Sequence, residues 1–174
     1  MSDFLTRKDV LNIPRELLPM PILSDNLRSF FAWGIKAHTH GNYNHFMWLI
    51  EPGVLATQNL LYEKESVEKY FDNNRLKFWY CQWSQEQRDK IIEAINYKLS
   101  LPWYRRRYDV LAIVGQLFNI ESIQNPFVDI CSDAGSYIKL VDDRYDLKHP
   151  APADVNRWLE SKPEYHVYGR YVPD

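Results

Sequence analysis

The alternation of apolar and polar residues predicts a strand-rich first half of the chain and a more helical second half. His45–Glu51 and Val54–Leu61 alternate on either side of a Pro-Gly pair, which predicts a β-hairpin. Leu76–Trp83 has the same period and predicts another strand, and Tyr165–Val172 predicts a closing strand. The predicted strands therefore stand before and after a helical stretch.

Apolar residues at helical spacing predict the elements of that stretch. Ser84–Gln87 is a capping box, and it opens a predicted helix that runs to about Leu99. Tyr108–Phe118 is apolar on nearly all sides, which predicts a buried central helix. Further helices are predicted after Cys131 and over Val155–Leu159.

The remaining segments complete a prediction of one α+β domain over residues 1–174, with an antiparallel sheet packed against helices. Residues 1–24 contain three prolines and predict an arm that packs on the domain, with a short helix around Phe4–Leu11. Ser29–Ala37 fits a strand or a buried helix, because so short an apolar run has no diagnostic period. No internal repeat divides the chain.

Charge and composition exclude several classes of protein. The net charge of −2 argues against nucleic acid as the main partner, and Arg105–Arg107 is better explained as a solvated helix entry than as a phosphate-binding track. No apolar run approaches the ~20 residues of a membrane-spanning helix. The N-terminus lacks the apolar core of a secretion signal, which predicts a protein of a bacterial cytoplasm or of a phage particle.

Two cysteines carry the candidate chemistry, Cys81 and Cys131, and they are too few for a disulfide scaffold. Cys81 is predicted to be a buried strand residue. Cys131 begins an amphipathic helix that Asp129 or Ser132 could cap. The partial positive charge of a helix N-terminus favours a thiolate, so this position fits a nucleophile as well as a small buried side chain.

A cysteine hydrolase also needs an imidazole and a group that orients it. His45 is the candidate base, because it stands at the start of a strand directly after a turn-rich loop. A hairpin loop of even length predicts Gln58 diagonally across from it, where the amide oxygen accepts the imidazole N–H. A loop of odd length shifts the register by one residue and predicts Thr57 instead. Loop statistics favour Gln58.

The order of these motifs resembles a known family. Gly41–His45 before an apolar strand is similar to a histidine motif, Leu55–Gln58 to a second-strand motif with a third polar residue, and Ile130–Ser132 to a Cys-Ser at the head of a nucleophile helix. Tyr108-Asp109 is similar to the helix that precedes the nucleophile. Together they resemble the circularly permuted papain-fold cysteine hydrolases, the YiiX-like and YebB-like members of the NlpC-type superfamily, over residues 29–160.

The resemblance implies a permuted papain-like α+β fold and a cysteine hydrolase, in the first place an amidase or peptidase. Cys131 attacks a carbonyl as a thiolate, His45 transfers the proton, and Gln58 holds the imidazole. The substrate is a peptide or peptidoglycan-type amide, or alternatively an ester or acyl group. No cofactor and no metal are expected.

Two other functions compete with this interpretation. His38, His40 and His45 lie within eight residues, as ligands of a hydrolytic zinc could, but no acidic partner or HExxH spacing accompanies them. Alternatively, the chain is a non-catalytic interaction or assembly protein, such as a phage structural protein, that retains the fold. A partner would then bind a surface of aromatic residues, which are Trp33, Tyr43, Trp48, Trp83, Trp103 and Tyr104.

Overall fold

Six antiparallel strands form a single sheet in this computed structural model, which describes residues 4–28, 41–107, 131–148 and 150–173, without the side chains of residues 131–133. The strands are β1 (Met20–Asn26), β2 (His45–Glu51), β3 (Val54–Gln58), β4 (Tyr62–Ser66), β5 (Asn74–Cys81) and β6 (Tyr165–Tyr171). Their order across the sheet is β4-β3-β2-β1-β5-β6. With helices packed beside this sheet, the predicted α+β class is confirmed.

The first strand corrects the prediction of an N-terminal arm. β1 is a central strand that pairs with both β2 and β5, and its first six residues are buried. A strand covered on both faces shows no alternation of apolar and polar residues, and a proline such as Pro21 is typical of a loop. The arm prediction is therefore wrong for residues 20–24. The short helix before them is confirmed as α1 (Arg7–Leu11), which a Thr6–Asp9 capping box begins.

The hairpin of β2 and β3 turns through Pro52-Gly53, as predicted, with Gly53 in the left-handed region at φ 75°. Met47 pairs with Thr57, but the register shifts by one residue before Glu51. This irregularity makes the register predicted from an even loop wrong for the part of the hairpin beyond it. Thr57 therefore lies on the face of His45, although the loop has even length and the odd loop of the alternative prediction is absent from this hairpin.

The sheet separates two apolar cores. One face, here the Trp48 face, is covered by α2 (Gln85–Ser100), α3 (Pro152–Glu160) and a 3-10 helix, Cys131–Leu140, called the Cys131 helix. The other, the Tyr70 face, is covered by α1 and a 3-10 turn, Val67–Tyr70. Buried members of the Trp48 face include Leu23, Phe46, Trp48, Ala56, Trp79, Ile91, Ile95, Ile138, Val155 and Leu159. Those of the Tyr70 face include Val10, Ile13, Met20, Ile22, Met47, Leu49, Leu55, Phe71, Leu76 and Phe78.

Most remaining element predictions agree with the structure. The capping box at Ser84 is confirmed, with both of its hydrogen bonds present, and helices follow Cys131 and cover Val155–Leu159 as expected. The predictions for Ser29–Ala37 and Tyr108–Phe118 lie outside the described residues. Among the helices that are described, none has the length and apolarity needed to cross a membrane.

Candidate functional site

His45 is the first residue of β2, and its imidazole lies on the Tyr70 face. Its Nε2 atom is 2.7 Å from Thr57 Oγ1. Thr57 is fully buried and lies diagonally across the hairpin, because its direct partner is Met47. Since Nε2 is engaged by the hydroxyl, Nδ1 is the nitrogen through which the ring would act on a second group.

Gln58, the residue expected to orient the imidazole, has a different contact. Its side chain belongs to the Trp48 face, and its Nε2 atom donates to the carbonyl oxygen of Arg106 at 2.8 Å. The structure therefore brings Thr57 to His45 and attaches Gln58 to the chain that follows α2. The physical reason is the register shift, since one residue of slip exchanges the two faces of a strand.

Tyr70 completes this cluster beside His45 and Thr57, and sequence reasoning missed it. Its ring stacks on the imidazole with centroids 6.4 Å apart and an angle of 10° between the planes. Tyr70 Oη donates to Glu65 Oε2 at 3.0 Å and accepts from Asn59 Nδ2 at 2.9 Å. The sequence signal was weak, because Glu65 and Tyr70 belong to a charged stretch without a motif.

Burial sets the protonation of this cluster. It lowers the pKa of His45 to about 4, although the charge of Glu65 acts in the opposite direction. Burial also raises the pKa of Tyr70 to about 12. At neutral pH the imidazole is consequently uncharged and Tyr70 is a phenol, so the ring is in the form that accepts a proton.

The Cys131 helix packs on the Trp48 face of the sheet, across from His45. Trp48 Nε1 donates to the carbonyl oxygen of Ala134 at 2.8 Å, which pins the middle of the helix to β2. Beyond its C-terminal end, Asp142 Oδ2 accepts from Tyr165 Oη at 2.8 Å. These two bonds fix the direction of the helix along the sheet.

That direction relates Cys131 to His45. Tyr165 pairs with Cys81 at the end of the sheet opposite His45. The Cys131 helix contacts Trp48 through Ala134, and the chain that follows the helix contacts Tyr165. The first residue of the helix is therefore directed toward the His45 end of the sheet. The structure thus places the start of the Cys131 helix and the imidazole at one end of the sheet, on opposite faces. The Cys131 side chain lies outside the described part of the chain.

Cys81 is a buried strand residue, as predicted. It is 2% exposed, and burial raises the pKa of its thiol well above the ordinary value. Its Sγ lies 3.9 Å from the carbonyl oxygen of Trp79. A protonated thiol without access to solvent is a poor nucleophile, so Cys81 does not compete for that role.

A buried cation, Lys77, lies on the Trp48 face in the row next to His45. Its Nζ donates to Asn156 Oδ1 at 3.0 Å and to Glu160 Oε1 at 2.7 Å. The ammonium also lies 4.3 Å from the centroid of the Trp79 ring. Burial lowers the pKa of Lys77. Sequence reasoning missed this residue, since a lysine in a strand is usually solvated.

Comparisons with known proteins give a likeness of fold. No family model matches the chain, and no curated protein matches it. A solved structure described as "metalloprotein yiiX from Escherichia coli O157:H7, DUF1105" is similar, with a TM-score of 0.52 and 15% identity. The match covers 89% of this chain and 97% of that one. At this identity the likeness concerns the fold alone, which agrees with the resemblance to YiiX-like proteins.

Proposed function

We propose that this chain is a thiol-dependent hydrolase of the permuted papain-like type that cleaves an amide of a peptide or of peptidoglycan. Cys131 is the nucleophile, His45 the general base, and Thr57, in place of Gln58, the group that orients the imidazole. The observation that carries the proposal is the neutral imidazole of His45, held through Nε2 by a buried hydroxyl. The YiiX-like fold is compatible with this proposal.

The reaction follows from the roles of these groups. The His45 ring takes the proton of the Cys131 thiol, and the sulfur attacks the carbonyl carbon of the substrate. N–H groups at the start of the Cys131 helix stabilise the oxyanion. The imidazolium then protonates the leaving amine, and a thioester remains. Water, deprotonated by the same imidazole, attacks the thioester, and its collapse restores the thiol and releases the acid.

A second candidate is a non-catalytic binding or assembly protein that retains the fold. The specific observation in its favour is the sheet between His45 and the Cys131 helix, together with the Tyr70 ring stacked on the imidazole. Transfer of a proton between the two groups requires the Cys131 side chain to pass the end of β2. In the binding protein, the His45 cluster stabilises the fold and has no partner thiol.

The name of the similar structure raises the question of a metal. The residues described here do not fit one: Thr57 engages His45 Nε2, and among the described residues no three His, Cys, Asp or Glu side chains come together. His38 and His40, the other ligands of the zinc hypothesis, lie outside the described residues. No step of the proposed reaction therefore passes through a metal.

Labelling with a thiol-directed activity probe tests the hydrolase. We expect the wild type and Cys81→Ala to be labelled and Cys131→Ala to remain unlabelled. His45→Ala should lose about 10²-fold in labelling rate, because a positioned general base contributes at least that much. Thr57→Val should also slow labelling, whereas Gln58→Met should not.

Circular dichroism verifies that each variant is folded. A folded wild type whose Cys131 does not react, or a rate unchanged in His45→Ala, contradicts the hydrolase and supports the binding protein. A loss in Gln58→Met equal to that in Thr57→Val would contradict the assignment of Thr57.

A further inference from the structure

The segment after α2 exposes large aromatic side chains. Trp103 is 60% exposed and Tyr104 is 57% exposed, and their rings meet edge to face with centroids 6.2 Å apart. The Arg107 guanidinium carbon lies 5.5 Å from the Trp103 ring centroid. Contiguous exposed aromatic rings of this kind are typical of an interaction surface, and the arginine adds a cation–π contact to it.

This segment is fixed to the sheet beside the turn between β3 and β4. Leu61 and Arg107 form an antiparallel bridge, and the Tyr62 N–H donates to the Arg106 carbonyl oxygen at 2.7 Å. The bridge brings in Leu60, which is 81% exposed. Together, Leu60, Trp103, Tyr104, Arg105 and Arg107 form one surface, called the Trp103 patch.

The Trp103 patch is cationic on a chain that is acidic overall. Residues 94–107 carry one lysine and three arginines and contain no aspartate or glutamate, whereas the whole chain has a net charge of −2. Both Arg105 and Arg107 are exposed. Such an asymmetry attracts an anionic partner to this surface and orients the protein toward it.

The chemistry of these side chains matches a lipid surface. Tryptophan and tyrosine rings prefer the headgroup level of a bilayer, where the ring is covered and its polar atom remains hydrated. An exposed leucine inserts below them, and arginines attract anionic headgroups. We propose that the Trp103 patch docks this protein on an anionic lipid bilayer. Two arginines, two aromatic residues and a leucine in one patch fit this better than an extended nucleic-acid track.

The position of the patch links docking to the candidate site. Gln58 donates to the Arg106 carbonyl oxygen, and Gln58 follows the Thr57 that holds His45. A bilayer that contacts the patch therefore lies beside the part of β3 next to the imidazole. Docking does not depend on the proposed hydrolase, because no residue of the patch is part of it.

Vesicle sedimentation tests the docking. We use the full chain with phosphatidylcholine vesicles that either contain or lack phosphatidylglycerol. Binding should need the anionic lipid and should weaken between about 0.1 M and about 1 M salt, as the Debye length falls from about 10 Å to about 3 Å. Arg105→Gln/Arg107→Gln should reduce partitioning about 25-fold, since each arginine contributes about five-fold.

Two further variants separate insertion from charge. Trp103→Phe should lose part of the fluorescence quenching that brominated lipids cause, and Leu60→Ser should weaken binding at both salt concentrations. The matched control, Arg15→Gln/Lys148→Gln, removes two exposed charges elsewhere and should bind as the wild type does.

Three outcomes overturn the proposal. They are equal binding to vesicles with and without phosphatidylglycerol, equal losses in the patch variant and its control, and tighter binding to single-stranded RNA than to vesicles. Thiol labelling of the patch variants should remain at the wild-type rate. The two proposals can therefore fail separately.

Discussion

The two faces of the sheet differ in what they bury: one is an aromatic core covered by helices, and the other holds a polar cluster around an imidazole. On the Trp48 face, large aromatic rings and three helices form a core that includes one paired cation, Lys77. On the Tyr70 face, a neutral imidazole is held by a hydroxyl and covered by a phenol. One strand, β2, supplies both, because alternate residues point to opposite faces.

The difference shows that the order of motifs along a chain does not determine which face receives each side chain. A shift of β2 by one residue would exchange His45 and Phe46 between the faces. The start of the Cys131 helix and the imidazole lie at one end of the sheet, and substitutions on each face change one of them without the other.

The largest effect is expected on the Trp48 face. Trp48→Ala should reduce the free energy of unfolding by about 3–5 kcal/mol, because it leaves a cavity beneath the Cys131 helix. Trp48→Phe should reduce the free energy of unfolding by less, because an aromatic ring remains. It removes the hydrogen bond to the Ala134 carbonyl oxygen, which contributes about 1 kcal/mol. Urea denaturation followed by circular dichroism measures both. If Trp48→Ala and Trp48→Phe lost the same free energy of unfolding, the hydrogen bond and not the packing of the ring would anchor the helix.

The second effect is a dependence of the free energy of unfolding on pH, which the protonation of His45 on the Tyr70 face causes. The pKa of His45 is about 4 in the folded chain, below the ordinary 6.5, so the unfolded chain binds more protons between these values. Stability from this group is complete above pH 6.5 and falls as the pH drops to about 4, by at most about 3 kcal/mol. Asp142, whose pKa is lowered to about 2, contributes only below about 3.8.

Chemical denaturation at several pH values between 4 and 7 measures this window. His45→Phe should remove the slope above pH 4.5, the ordinary pKa of the glutamates Glu86, Glu160 and Glu164, whose lowered pKa values contribute only below it. His166→Gln, which changes an exposed histidine of β6, should retain that slope. An unchanged slope in His45→Phe would show that the imidazole is protonated as easily in the folded chain as in the unfolded one.

Thr57 offers a smaller and more local test of the same face. Thr57→Val keeps the shape of the side chain but removes the hydroxyl that contacts His45 Nε2. A buried ring nitrogen without its partner should reduce the free energy of unfolding by about 1–3 kcal/mol. Thr57→Ser should restore most of the loss in thermal and urea denaturation. A loss in Thr57→Ser as large as in Thr57→Val would assign the effect to packing of the methyl group.

Much of the fold could be predicted from local patterns. The hairpin around Pro52-Gly53, the capping box at Ser84 and the helix after Cys131 each have a signal within a few residues. β1 could not be found in this way, because it is buried on both faces and contains Pro21. Its identity depends on partners from distant parts of the chain.

The candidate site was predicted only in part for a related reason. His45 has a strand start as its local signal, but the choice between Thr57 and Gln58 depends on an irregularity between Leu49 and Glu51. A shift of this kind has no sequence signature comparable to a glycine turn. Tyr70 reaches the imidazole from a 3-10 turn, so the contact follows from tertiary packing alone.

The smallest expected effect concerns Glu65, a residue of the edge strand β4 that changes the pKa values of His45 and Tyr70. The charge of Glu65 raises the pKa of His45 against the effect of burial, and Glu65 also raises the pKa of Tyr70. Glu65→Gln should therefore lower both pKa values, with little loss of stability because an amide can still bond to Tyr70. Titration of the imidazole by NMR measures the first change. A rise in the pKa of His45 would contradict a carboxylate that acts across this face, while Lys64→Gln, on the exposed side of β4, should leave it unchanged.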